Sequence, residues 1–331
     1  MPKPRYAQVA LENTPYYHCV SRCVRRAFLC GEDPTTSRNY EHRRAWIETR
    51  LHELAQIFSI ELCGYAVMSN HYHTVLFVDH LVAEQWPMSE VIDRWHQLFC
   101  GNLLSQRYCR GEVLSTAESV VLDDCVATWR SRLMDISWFM RVLNEGIARQ
   151  ANTEDGCSGR FWEGRFKSQA LLDEAALMAC MAYVDLNPIR AKIAKTPETS
   201  AHISIKKRAQ QAKAAYNPNH PQQQAKGLFP FVGDPRKTMP KGLPFRLTDY
   251  LDLVDISGRI IREDKRGHID ARLSPILARL SIDPKHWDYL IKHIESRFKS
   301  FVGSAFKLKQ ICQSLGYQRM PGKGSCESYF P

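Results

Sequence analysis

Two runs of β-type residues, Ile60 to Met68 and Tyr72 to Val78, stand on either side of Ser69-Asn70. Runs this rich in aromatic and β-branched side chains, joined so briefly, predict the two arms of a β-hairpin. Around it the pattern alternates between strand and helix. Tyr16 to Arg22 alternates apolar and polar residues after a proline and reads as a strand, which Gly31 to Pro34 breaks. From Arg38 to Phe58 apolar residues recur at helical spacing (Ala45, Trp46, Leu51, Leu54, Ala55, Phe58), predicting a helix that packs on a sheet. Met88 to Leu104 reads as a helix, while 105–130 mixes signals, so about 81–135 is expected to be an insertion with short elements of its own. Ile136 to Ala151 is again helical and stops before Gly156 and Gly159; a strand is expected through 165–171. Asp173 is placed to cap a helix running to Leu186, where Pro188 disfavours helical geometry at Asn187. Such an order predicts an α+β fold over 1–200.

Charge is divided unevenly along the chain. Residues 1–200 hold 22 Lys and Arg against 24 Asp and Glu, whereas 201–331 hold 23 against 11, so the excess behind the net charge of +10 lies in the C-terminal part. A near-neutral body with a basic appendage suits a catalytic domain joined to a module that tracks phosphates, although a solubilising surface has the same layout. After Ile205 the composition shifts to Lys206-Lys207-Arg208, a Gln- and Ala-rich stretch and Asn217-Pro218-Asn219-His220-Pro221, which predicts a linker over 201–241, helical first and flexible later. Apolar clusters from Leu243 onward predict a basic, mainly helical domain over 242–331. The eleven cysteines are irregularly spaced, no apolar signal segment follows Met1, and no run approaches the roughly 18 apolar residues of a membrane span. These features predict a soluble, cytoplasmic protein with reduced thiols. Cys19, Cys23 and Cys30 lack the paired CxxC spacing of a structural zinc site.

Side chains alternate faces along a strand, so His71 and His73 are expected on one side and Tyr72 on the other, a geometry in which two imidazoles can share a metal. Helical residues four apart share a face, so Tyr183 and Asn187 are expected to bring a phenol and an amide together. The amide oxygen suits a hard divalent ion beside two neutral imidazoles. Each feature also has an ordinary use: an Asn before Pro starts turns, and a Tyr near a helix end is commonly core with its hydroxyl at the surface.

Three segments occur in order: GYAVMSNHYHTVLFV at 64–78, GRFWEGRFKS at 159–168 and AYVDLNPIRA at 182–191. Together they resemble the REP-associated tyrosine transposases, members of the single-tyrosine HUH endonucleases, whose paired histidines flank a hydrophobic residue as His71 and His73 flank Tyr72. YYHCVSRCVRRAFLCG at 16–31 also looks like the family's opening segment, and 242–269 resembles an extension of its longer members. The resemblance implies a ferredoxin-like antiparallel sheet backed by helices, with the site on the sheet's open face. It further implies His71, His73 and Asn187 as ligands of Mg²⁺ or Mn²⁺ and Tyr183 as a nucleophile that nicks single-stranded DNA. That reaction leaves a 5′-phosphotyrosine and a free 3′-hydroxyl and rejoins strands without ATP, acting on hairpin-forming repeats, by a monomer or a homodimer. A protein that binds hairpins without cutting them is the alternative. Arg160, Trp162, Arg165 and Lys167 interleave cations with aromatic residues, which suits phosphate contact beside base stacking, though the phenylalanines among them also suit a core. Lys3, Arg5, Arg22, Arg25 and Arg26 near the first strand, and Arg259, Arg262, Lys265, Arg266 and Arg272 in the C-terminal part, are further candidates for DNA contact.

Overall fold

A computed structural model of the protein describes residues 11–24, 29–33, 37–233, 240–261 and 274–330. Strand β1 (Tyr16–Arg22) leads through helix α1 (Arg43–Ile57) into the hairpin of β2 (Ile60–Val67) and β3 (His71–Val78). Five helices follow: α2 (His80–Gln85), α3 (Met88–His96), α4 (Leu103–Cys109), α5 (Thr116–Leu133) and α6 (Ile136–Glu154). They precede β4 (Lys167–Leu171), α7 (Glu174–Asp185) and α8 (Asn187–Arg190). β1 lies between β3 and β4, antiparallel to both, and β2 flanks β3 antiparallel. The fold is thus a mixed α+β arrangement built on one sheet, and all eleven cysteines are free.

The sheet is covered on both faces. On the side of Tyr72, the Asn144 side chain of α6 accepts from the Tyr72 hydroxyl at 2.7 Å and donates to Ser21 Oγ at 2.9 Å, and α1 packs against α6 and β2. α7 lies on the other side, and every residue from Ala176 to Asp185 is buried. The face expected to be open is therefore closed, because an all-round apolar helix must be covered on every side.

Two local expectations fail for identifiable reasons. α3 stops at His96 rather than reaching Leu104, since Gly101 takes φ +70° and Asn102 then caps α4 by accepting from Ser105 N. The mixed signals of 105–130 hide the long helix α5, which a Ser115/Glu118 capping box starts and which buries Leu122, Val126, Trp129 and Leu133. Exposed Val120 and Val121 on its outer surface blur that period.

The described part of the stretch expected as a linker, 201–233 and 240–241, is packed rather than loose. Helix α9 (Ser204–Ala214) buries Ser204, Ile205 and Arg208, and the Arg208 guanidinium donates to the carbonyls of Cys63 and Phe229. Phe229 stacks on Phe77 at 4.6 Å and its N–H donates to Leu62 O of β2 at 2.9 Å. Beyond it come α10 (Leu247–Ile261), α11 (Ser274–Arg279), α12 (Pro284–Arg297), the short β5 (Phe301–Val302), α13 (Ala305–Ser314) and α14 (Lys323–Tyr329). β5 adds to β4 in parallel, giving the order β2-β3-β1-β4-β5, and α12 packs along α7. Among the described residues no helix is long and apolar enough to cross a membrane.

Two predictions follow from this packing. Gly303 has φ +151°, and a Cβ there would stand 2.8 Å from Leu172 Cβ and 2.9 Å from Asp173 Oδ2. Asp173 accepts from Ser304 N and caps α7 by accepting from Ala176 N at 2.9 Å. Gly303→Ala should lower stability by about 1–3 kcal/mol, read as a drop in the thermal midpoint. Glu48 of α1 is 15% exposed and accepts from Tyr65 Oη, His202 Nδ1 and Lys207 Nζ, tying α9 to the sheet. Burial alone would raise its pKa, but these hydrogen bonds outweigh burial and hold it down to about 2. A depressed carboxylate pKa stabilises the fold above the unfolded value of about 4.3, and that contribution disappears as pH falls toward 2. Glu48→Gln should therefore cost about 1–2 kcal/mol at pH 7 in denaturant titrations, with the gap from wild type closing in acid.

Candidate active site

The strand register assembles the site. Val20 pairs with His73 and Arg22 with His71 across β1 and β3, while His18 pairs with Gln169 and Val20 with Lys167 across β1 and β4. Cross-strand partners share a face, so Arg22, His18, His71, His73, Lys167 and Gln169 all stand on the side covered by α7. His71 and His73 lie with ring centroids 4.9 Å apart, as their alternation on β3 requires. Tyr183 projects from the last turn of α7 onto this cluster, edge-on to His73 at 5.6 Å and to His18 at 6.0 Å.

A chain of hydrogen bonds determines which nitrogen of His73 is bare. The Gln169 amide donates to Phe298 O at 2.7 Å, which turns its Oε1 toward His18 Nδ1 at 2.9 Å. An amide oxygen only accepts, so His18 carries its proton on Nδ1 and offers the Nε2 lone pair to His73 Nδ1, 3.0 Å away. His73 must then donate from Nδ1, which leaves its Nε2 as a lone pair, buried and without a partner among the described residues. His71 follows the same logic, since its Nδ1 lies 2.6 Å from Asn70 Oδ1. Burial lowers the pKa of all three imidazoles: His71 falls to about 4, helped by the nearby Arg22 charge, and His18 and His73 also fall. Neutral imidazoles oriented through their second nitrogen by carbonyl-type acceptors or another imidazole have the form that metal-ligating histidines take.

Asn187 begins α8 directly after α7, with Leu186 between the two helices. Pro188, expected to keep Asn187 out of helical geometry, instead sits in the first turn of α8, where its missing N–H leaves no helical bond unmade, so Asn187 is helical. Asn187 is buried, and its Nδ2 has no partner among the described residues. No group of three or more His, Cys, Asp and Glu is gathered to hold a metal among those residues. The orphaned Asn187 Nδ2 is an N–H donor and not itself a metal ligand, so the fit to a divalent cation rests on the two imidazole Nε2 lone pairs.

Tyr183 is 7% exposed, and its hydroxyl donates to Glu295 Oε2 at 3.1 Å. The Arg190 guanidinium stacks on its ring at 3.7 Å and donates to the carbonyl of Ile291 on α12. Burial pushes the phenol above its ordinary pKa; Arg190 opposes that shift and Glu295 reinforces it.

The other sequence candidates lie at different places. Arg22 and Lys167 are exposed on the histidine face, and Lys167 Nζ stands 3.8 Å from Glu295 Oε1. Arg160 and Arg165 are exposed in the segment leading into β4, and Arg160 Nε donates to Trp162 O. Trp162 is half-buried on the opposite face: its indole N–H donates to Asn144 O and its ring meets Tyr72 edge-on at 5.7 Å. Arg259 is exposed on α10 and paired with Asp255. Lys3, Arg5, Arg25, Arg26, Arg262, Lys265, Arg266 and Arg272 lie outside the described residues. Sequence reasoning missed His18, Gln169, Arg190 and Glu295. His18 stood in a segment already read as a strand, but only the β1–β3 register places it beside His73.

No protein-family model and no curated protein matches the chain. A solved structure of a REP-associated tyrosine transposase bound to a REP hairpin is similar over 70% of this chain and 92% of that one, at 12% identity and a TM-score of 0.35. A likeness of that degree says nothing about individual residues.

If His73 Nε2 receives a divalent cation, loss of the chain that orients the ring should weaken that binding. Gln169→Leu and His18→Phe are expected to lower Mn²⁺ affinity by about 10–100-fold in titration calorimetry. Affinities equal to wild type would show that the relay does not orient a metal ligand.

Proposed function

We propose that the protein is a metal-dependent enzyme that nicks and rejoins single-stranded DNA, with Tyr183 as nucleophile and His71, His73 and Asn187 as the ligands of Mg²⁺ or Mn²⁺. The observation that carries this reading is the bare, buried Nε2 of His73 beside His71 and under Tyr183. A buried imidazole nitrogen without a partner is costly unless something binds it, and a cation does so beside neutral histidines. The antiparallel order β2-β3-β1-β4 is also the order of a ferredoxin-like sheet. The sequence resemblance supplies the substrate class, hairpin-forming DNA.

The chemistry a divalent ion supplies when bound is Lewis-acid polarisation of the scissile phosphate. Tyr183 Oη attacks the phosphorus, the P–O3′ bond breaks, and the product is a 5′-phosphotyrosine with a free 3′-hydroxyl. The ester conserves the energy of the broken bond, so a 3′-hydroxyl can displace Tyr183 and restore a phosphodiester. Arg22 and Lys167, exposed at the His71 end of the strands, and Arg160 and Arg165 before β4 give the approaching backbone positive partners. The excess positive charge of 201–331, including Arg259, suits contact with a hairpin stem.

A second reading, a hairpin-binding protein that does not cut, is favoured by the state of Tyr183: nearly buried, protonated and held by Glu295. One experiment separates the two. A labelled single-stranded hairpin incubated with Mg²⁺ or Mn²⁺ should form a covalent, denaturation-resistant adduct with wild type and none with Tyr183→Phe, while both proteins bind it. Binding with no adduct under either metal would favour the non-cutting reading, and equal cleavage by both proteins would remove Tyr183 from the chemistry.

A further inference from the structure

We propose that Glu295, supplied by the C-terminal helix α12, is a further catalytic residue of this site, taking the proton of Tyr183 as the strand is cut and returning it as the strand is rejoined. The inference rests on the reading of Tyr183 as nucleophile. Its basis is the hydrogen bond from the Tyr183 hydroxyl to Glu295 Oε2, at 3.1 Å and across 112 residues of sequence. Three contacts hold this geometry. α12 packs along α7, Arg190 bridges from the Tyr183 ring to the Ile291 carbonyl one turn before Glu295, and Lys167 Nζ stands 3.8 Å from the other carboxylate oxygen.

A phenol is a weak nucleophile until its proton has somewhere to go, and at 7% exposure Tyr183 has little access to solvent base. The imidazoles that lie nearest its ring are otherwise engaged. His18 accepts from His73, and the free nitrogens of His71 and His73 are the ones proposed to bind metal. Glu295 is the acceptor already in hydrogen-bond contact, and its side chain is 20% exposed, which leaves the carboxylate room to exchange a proton with water. In the forward step the Tyr183 O–H bond breaks and Glu295 Oε2 gains the proton, Tyr183 Oη bonds to phosphorus, and the departing O3′ is protonated by water. In the reverse step a 3′-hydroxyl gives its proton to water and attacks phosphorus, the Tyr183–phosphorus bond breaks, and the Glu295 carboxyl reprotonates the phenolate. The carboxylate ends each cycle as it began.

The test is single-turnover adduct formation on a labelled hairpin as a function of pH, with gel-shift binding measured in parallel, for wild type, Glu295→Gln and Glu295→Asp. Expected is a loss of about 100-fold or more in rate at pH 7 for Glu295→Gln. Hairpin binding should be unchanged, and the deficit should narrow as rising pH supplies phenolate without a base. Glu295→Asp, which keeps the carboxylate, should recover part of the rate and guards against a fold-level effect in the Gln variant. An unchanged rate in Glu295→Gln would overturn the proposal and leave the contact as packing. A faster rate would overturn it in favour of a latch that holds the nucleophile back. If wild type itself binds the hairpin and forms no adduct, the nuclease reading fails and Glu295 falls with it; an adduct from wild type matched by Glu295→Gln sinks this proposal alone.

Discussion

The antiparallel pairing of β1 with β3 on one side and β4 on the other decides where every group of the site stands. Because side chains alternate along a strand, one register puts His18, His73 and Gln169 in a row on the same face. A slip of one residue in β1 would turn His18 away and point Cys19 at the cluster instead. The row becomes a directed hydrogen-bond chain from the Phe298 carbonyl to His73, and direction follows from chemistry alone: an amide oxygen cannot donate, so each link sets the next. The end of that chain is a buried lone pair with no partner among the described residues.

The cover over this face has two opposed effects. α7 and α12 exclude water, which keeps the imidazoles neutral, and the same exclusion keeps the Tyr183 phenol protonated. The cluster is consequently built from both ends of the chain: three histidines from the sheet, Tyr183 from α7, and Arg190 and Glu295 tying that tyrosine to α12. Cations remain exposed at the His71 edge, the side from which a polyanion can approach.

Local signals served well where alternation, period or a cap is present. The hairpin, β1, the period of α1 and α6 and the Asp173 cap of α7 were legible, because these are local properties. α5 was not, although Ser115-x-x-Glu118 and the spacing of Leu122, Val126, Trp129 and Leu133 were present, since Val120 and Val121 on its exposed surface mimic a strand. The segment 201–241 reads as a polar linker because its composition is polar. Its described residues nevertheless pack through a few side chains, Arg208 donating into the backbone beside β2 and Phe229 stacking on Phe77.

What the sequence by itself determined is the set of reactive types and their local spacing. His71 and His73 share a face because a strand has a period of two, and Tyr183 stands in the last turn of a helix that Asp173 caps at its start. What only the tertiary structure decided is everything that depends on contacts between distant segments. It sets the proton position on His73 through His18 and Gln169, the closure of a face expected to be open, and the meeting of Tyr183 with Glu295. Periodicity reports which way a side chain points within its own element, whereas a hydrogen bond across 112 residues exists only once the sheet and the C-terminal helix have packed.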